Sequence, residues 1–256
     1  MIHRTLTFAV TIAATLALVE FSALAESPID VPPPDAKARN FDVTGTTPEY
    51  CRRIAVAAES QRTALAKLWL GKELADWQNP CPIEVTLNPV AAGGVTTFSF
   101  ERGSPDPALV AVTGSLERIL NNQLPHEVAH AILAAHFRRP VPRWADEGVA
   151  ILSECNAEHK RHDRILAQLL NSGRALRLSH LLPLKEYPSD RITLYTQGYS
   201  VTRFLVERKD RATFLAFLSS GMKDGWDTAA KDCYAFDTVS DLERSWLAWF
   251  HKIPKR

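Results

Sequence analysis

LPHEVAHAILAAHFRRPVPRWADEGVA, residues 124–150, decides how this chain is read. It opens with His126 and His130, four residues apart. Apolar residues at helical spacing flank them: Leu116, Ile119 and Leu120 before, Ala131, Ile132 and Leu133 after. On a helix, residues i and i+4 share one face, one turn above the other. Both imidazoles then reach one tetrahedral zinc ion, and Glu127 beside the first can lean over the metal and take a proton from bound water. HExxH alone arises by chance in about one chain in a hundred of this length. A catalytic zinc site also needs a third protein ligand and an open position.

Two residues compete for the third place. His136 lies ten residues after His126. HEVAHAILAAH resembles the metzincin pattern HExxHxxGxxH, where a Gly turns the chain back so that a third His reaches the metal. Leu133 stands at that Gly position. A helix running on through Leu133 carries His136 about 80° around and about 15 Å along from His126, out of reach of a shared ion. The other residue is Glu147, 17 residues after His130 in the run Trp144-Ala145-Asp146-Glu147-Gly148. Pro140 and Pro142 break the first helix, so a second can return antiparallel with its carboxylate facing the histidines. Asp146, next to the expected ligand, reads as a solvated helix residue.

HExxH followed by a Glu on the next helix resembles the gluzincins. The W-x-x-E-G phrase is similar to that of the aminopeptidase N family and of minimal gluzincins with a peptidase MA-like domain. A further phrase, Tyr195-Thr196-Gln197-Gly198-Tyr199, resembles the Y-x-K-G helix of the aminopeptidase N family, with Gln197 where Lys is usual. The resemblance implies zinc held by His126, His130 and Glu147, Glu127 as general base, and Tyr195 as a phenol donor to the oxyanion. It implies an α+β, zincin-like metallopeptidase fold acting on a peptide or protein substrate. No G-x-M-E-N phrase of the kind that anchors a free amine is present, which tilts the expectation toward an endopeptidase. The competing expectation is a non-catalytic exported domain that keeps zinc, or only the fold, to bind a peptide.

Working outward, Thr47-Pro48-Glu49 reads as a helix start, and Gly71 as its stop. Ile83, Val85 and Leu87 alternate with polar residues, a strand signal. Asn40–Thr44, Val95–Phe100 and Leu109–Thr113 read as further strands, and the last as an edge that pairs with extended substrate. After Gly114 apolar spacing is helical near 115–137, 143–155, 158–171, 191–208, 210–219 and 239–251. A strand-rich part, 40–114, followed by a helical part, 115–256, implies α+β: a small mixed or antiparallel sheet followed by a helical subdomain, together one catalytic domain over 40–256.

The N-terminus reads differently. Arg4 precedes an apolar run from Leu6 to Val19, and Ala23-Leu24-Ala25 fits signal-peptidase cleavage before Glu26. The run is shorter than the about 20 residues a spanning helix needs. The expectation is a signal peptide over 1–25, a Pro-rich linker over 26–39, and a periplasmic or extracellular monomer with no stable membrane insertion. A formal net charge of +1 offers no footprint for nucleic acid. In an oxidising compartment, the four cysteines suggest two disulfides, and Cys51–Cys81 with Cys155–Cys233 keeps each within one half of the chain.

Overall fold

The computed structural model describes residues 10–13, 35–100 and 106–253. The fold is α+β. Six strands, β1 (Val10–Ala13), β2 (Ala36–Lys37), β3 (Phe41–Thr44), β4 (Cys81–Leu87), β5 (Gly93–Ser99) and β6 (Asp106–Gly114), form one mixed sheet in the order β1-β5-β6-β4-β3-β2. β4 runs parallel to both β3 and β6, and the remaining pairs are antiparallel.

The β3–β4 crossover is α1 (Pro48–Leu70), which starts and stops where its sequence signals stand. The Thr47 hydroxyl accepts from Tyr50 N, Pro48 takes the first turn, and Gly71 closes the helix at φ 70° with its N–H donating to Lys67 O. Its apolar stripe, Ile54, Ala58, Leu65 and Trp69, is buried against the sheet and the helices that follow.

The chain then builds a helical layer. α2 (Leu116–Arg118) runs through a π-helical segment, Ile119–Gln123, into α3 (Leu124–Phe137). α4 (Arg143–Leu152), α5 (Asn156–Asn171), the short α6 (Leu178–Leu181), α7 (Arg191–Arg208), α8 (Arg211–Asp224), α9 (Trp226–Tyr234) and α10 (Val239–Lys252) follow. Residues 124–134 of α3 and 143–151 of α4 are buried without interruption. A helix covered on every side needs close neighbours. α3 has the sheet and α1 on one side and α4 on the other, while α4 lies against α7.

The α4–α7 crossing is set by two glycines. A Cβ on Gly148 would collide with Gly198 O and the Thr202 hydroxyl, and one on Gly198 would collide with the backbone carbonyl of Trp144. Trp144, fully buried, donates from its indole N–H to Leu182 O at 3.1 Å.

Four expectations are corrected here. β6 is paired on both flanks, by β5 and β4, so it has no open edge for substrate. The proline-rich stretch ends in β2 rather than continuing to residue 39, because Ala36 and Lys37 pair with Val43 and Asp42. α9 (Trp226–Tyr234), flanked by Gly225 and Ala235 at positive φ, is a helix that apolar spacing did not reveal. All four cysteines are free thiols. Cys51 on α1 donates to Thr46 O and the Asp35 carboxylate, and Cys81 on β4 to Pro82 O. Cys155 caps α5 while Cys233 lies on α9. Burial pushes the Cys81 thiol up to about 12, which holds its proton.

The signal-segment expectation covers residues 1–25, of which the structure describes only Val10–Ala13, paired antiparallel with β5. The remainder of that segment, and linker residues 26–34, lie outside the described residues.

Candidate metal centre

Helix α3 places His126 and His130 one turn apart, with ring centroids 4.9 Å from each other. Helix α4 brings Glu147 to them from the facing side, its Oε2 3.4 Å from His126 Nε2. One ligand atom from each of the three lies within 4.8 Å of the others, and the residues are 7%, 1% and 0% exposed. This group can hold a metal ion. Ligands about 2.0–2.1 Å from a tetrahedral ion stand roughly 3.4 Å from one another, which matches the His126–Glu147 separation.

The partners of these side chains test the fit more stringently. His126 Nδ1 meets Glu154 Oε1 at 2.6 Å, and His130 Nδ1 meets Asp146 Oδ1 at 2.9 Å. A carboxylate at Nδ1 keeps the proton on that nitrogen and turns the Nε2 lone pair inward. Glu147 Oε1 accepts from the Tyr187 hydroxyl at 2.6 Å. What remains are His126 Nε2, His130 Nε2 and Glu147 Oε2, each buried and without a hydrogen-bond partner among the described residues. An orphaned buried polar atom costs about 1–3 kcal/mol. Three orphans converging on one point, with their other atoms satisfied, are what a ligand set looks like.

Charge supports the same reading. Glu127, Glu147, Asp146 and Glu154 surround two imidazoles, and Glu154 adjoins a further cluster with Glu158 and His162. Burial opposes protonation of His126, but the Glu147 carboxylate 3.4 Å from Nε2 and the Glu154 carboxylate on Nδ1 outweigh it and raise its pKa well above 6.5. His130 is raised too, with burial overcome by the Asp146 charge and hydrogen bond. Burial would raise Glu147, yet the close approach of the His126 ring and the charges of both histidines hold it below the ordinary value. The surrounding acids thus favour protonation of both imidazoles.

A pH dependence follows. A metal ligand must be neutral imidazole, so both histidines have to release protons when an ion enters. Their raised pKa values mean that affinity climbs with pH and keeps climbing above the ordinary histidine value of about 6.5. Zinc titration calorimetry in buffers of different ionisation enthalpy should record proton release near neutrality. Affinity independent of pH between 6 and 8 would count against this protonation pattern.

Glu127 is 1% exposed, and its Oε2 accepts from the Thr96 hydroxyl of β5 at 2.6 Å. The strand lies so close that a Cβ on Gly94 would collide with the Glu127 carboxylate. Burial raises the Glu127 pKa, against the lowering effect of His126 and His130.

The other sequence candidates sort clearly. Tyr195 on α7 lies edge-on to Tyr187, ring centroids 6.1 Å apart. Burial, then the charges of Glu147 and Glu127 against that of Arg191, raises its pKa. Gln197 is fully buried and clamps the backbone of Leu176 in both directions, at 2.7 and 2.9 Å, so it braces the loop before α6. Tyr199 stacks on His159 and accepts from Arg203, outside the centre. His136 is exposed on the last turn of α3, which runs straight through Leu133.

Asp146, expected to be solvated, is 6% exposed and bonded to His130. Sequence reasoning missed Glu154, Tyr187 and Thr96. Glu154 follows α4, in a turn held by the π-helical segment: Asn122 Oδ1 accepts from Cys155 N at 3.2 Å. Tyr187 comes from the loop before Pro188, where no periodicity marks it. No protein-family model and no curated protein sequence matches this chain.

Proposed function

We propose that this chain is an exported zinc-dependent peptidase of the gluzincin type that hydrolyses internal peptide bonds. The observation that carries the reading is the convergence of three orphaned ligand atoms beside a buried carboxylate, Glu127, that takes no part in the ligand set. Two imidazoles and one carboxylate in a buried site, three protein ligands with a fourth position left for water, favour zinc over the oxygen-seeking cations. The chemistry such an ion supplies is Lewis acidity toward water and toward a carbonyl oxygen.

The chain's own residues divide the remaining work. Glu127, its pKa raised by burial, takes a proton from the attacking water and passes it to the leaving amine. A C–O bond forms, the C–N bond breaks, and each product carries one of the water's hydrogens. Thr96 aims the Glu127 carboxylate. Tyr195 donates its phenol to the developing oxyanion, a role carried over from the resemblance of its helix. Tyr187, Asp146 and Glu154 orient the three ligands from behind.

Zinc content and digestion of a mixed peptide library, run on the wild type and Glu127→Gln, test this reading. Both proteins should hold about one zinc per chain, and the substitution should slow cleavage about 10²- to 10⁴-fold. If both hold zinc and the wild type cleaves nothing, the chain is a zinc-containing binding domain instead. If neither holds zinc, the metal assignment falls.

A further inference from the structure

A second cluster of metal-binding side chains adjoins the centre, and the peptidase reading uses only one of its members. Glu154 stands in the turn after α4, and Glu158 and His162 follow at four-residue steps into α5. Residues i and i+4 share a helix face. One ligand atom from each of the three lies within 4.8 Å of the others. The Glu154 and Glu158 side chains are 13% and 21% exposed, while His162 is 4% exposed.

Acids near a helix start are common, so the two glutamates alone say little. His162 adds the independent observation. Its Nδ1 lies 3.1 Å from the Thr196 hydroxyl, and Nε2 has no hydrogen-bond partner among the described residues. His126 and His130 each meet a neighbouring carboxylate directly, yet no hydrogen bond or ion pair joins His162 to Glu154 or Glu158 among the described residues. The three side chains converge and stop short of one another. Burial above all, then Arg161 and the nearby histidines, push the His162 pKa down to about 3, which leaves the neutral ring that metals bind. Each glutamate also keeps one oxygen in hand. Glu154 commits Oε1 to His126, and Glu158 commits Oε2 to Arg161 at 3.3 Å. The Arg161 side chain is 49% exposed, so that pair is of the weak, solvated kind.

We propose that Glu154, Glu158 and His162 form a second zinc site, joined to the first through the Glu154 carboxylate. It does not rest on the peptidase reading. Two carboxylate oxygens and one imidazole nitrogen suit zinc, whereas calcium asks for six to eight oxygens. Ligands of one tetrahedral ion stand about 3.4 Å apart, so the side chains close by about an ångström, and water completes the sphere beside the more exposed Glu158. The second site is the weaker. It is less buried, and an ion there is repelled by one held at His126.

The test is zinc titration of the full chain after dialysis against metal-free buffer, read as zinc bound per chain against free zinc. The dialysed wild type should keep about one equivalent, in the first centre, and added zinc should fill a second. Glu158→Gln, at the most exposed ligand, should leave the first equivalent in place and weaken the second by about 10-fold or more, at least the loss that follows removal of an outer partner. Glu147→Gln should do the reverse, losing the first and keeping the second. Glu154→Gln should weaken both. Saturation of the wild type at one equivalent that Glu147→Gln removes overturns the second site and leaves the first standing. A second equivalent bound as tightly by Glu158→Gln as by the wild type overturns it as well, since the ion then lies elsewhere on the surface. A single equivalent that Glu158→Gln loses and Glu147→Gln keeps upholds this site and overturns the first.

Discussion

Glu147→Gln should strip metal from the centre more completely than any substitution among the residues that support the ligands. Glu147 is the one anionic ligand, fully buried, and its Oε2 is one of the three orphaned atoms. An amide offers only a neutral oxygen in its place and leaves two imidazoles to hold the ion. Removing an outer partner costs about 10- to 100-fold in metal affinity, and that is the loss expected for Glu154→Gln, Asp146→Asn or Tyr187→Phe. Loss in Glu147→Gln should exceed that range. Competition with a chelator of known affinity, read as zinc retained per chain, measures all four proteins on one scale. An affinity for Glu147→Gln equal to that of Tyr187→Phe would remove Glu147 from the ligand set.

Gly198→Ala should be the most destabilising single methyl addition in the helical layer. The new Cβ would strike the carbonyl of Trp144, which is backbone in α4 and cannot rotate away. The helices must separate, and Glu147 rides on the one that moves. Overpacking of this kind costs about 1–3 kcal/mol and at times more. In a domain of this size each kcal/mol shifts Tm by about 2–4 °C, so a drop of roughly 2–12 °C is expected, with weaker zinc retention. Gly71→Ala is the control. Gly71 sits at φ 70°, and a Cβ added there would meet nothing within 4 Å, so only the left-handed backbone penalty applies, about 1–2 kcal/mol, with no effect on zinc. A Gly198→Ala protein with unchanged Tm and zinc content would show that the α4–α7 contact does not position the site.

Both predictions bear on why parts of this protein were readable from its residues. Local signals held wherever a local cause produces them. The Thr47–Pro48 start and Gly71 stop of α1 depend on nothing beyond a few neighbouring residues. The alternation in β4 depends only on having one covered face. Within α3, the His126–His130 spacing places two rings together because helix geometry is the same everywhere. The choice of Glu147 over His136 is of the same sort: Leu133 lets α3 continue, and the prolines after it let α4 return.

Sequence alone therefore determined the α+β class, the helix that carries the two histidines, and the acid that faces them. Only packing in three dimensions decided the rest. Gly198 drew notice for the Tyr three residues before it, but its own role is to admit the Trp144 backbone, a contact across 54 residues of chain. Tyr187, Thr96 and Glu154 reach the centre from a loop, a strand and a turn that share no period with α3. Asp146 looked like a surface residue because a single acid carries no mark of burial until His130 is placed beside it. The pairing of β6 on both flanks, and the freedom of all four thiols, were likewise set by which elements the fold laid side by side. Ligands on a helix follow from spacing, whereas the groups that aim them follow from long-range contact, which spacing does not encode.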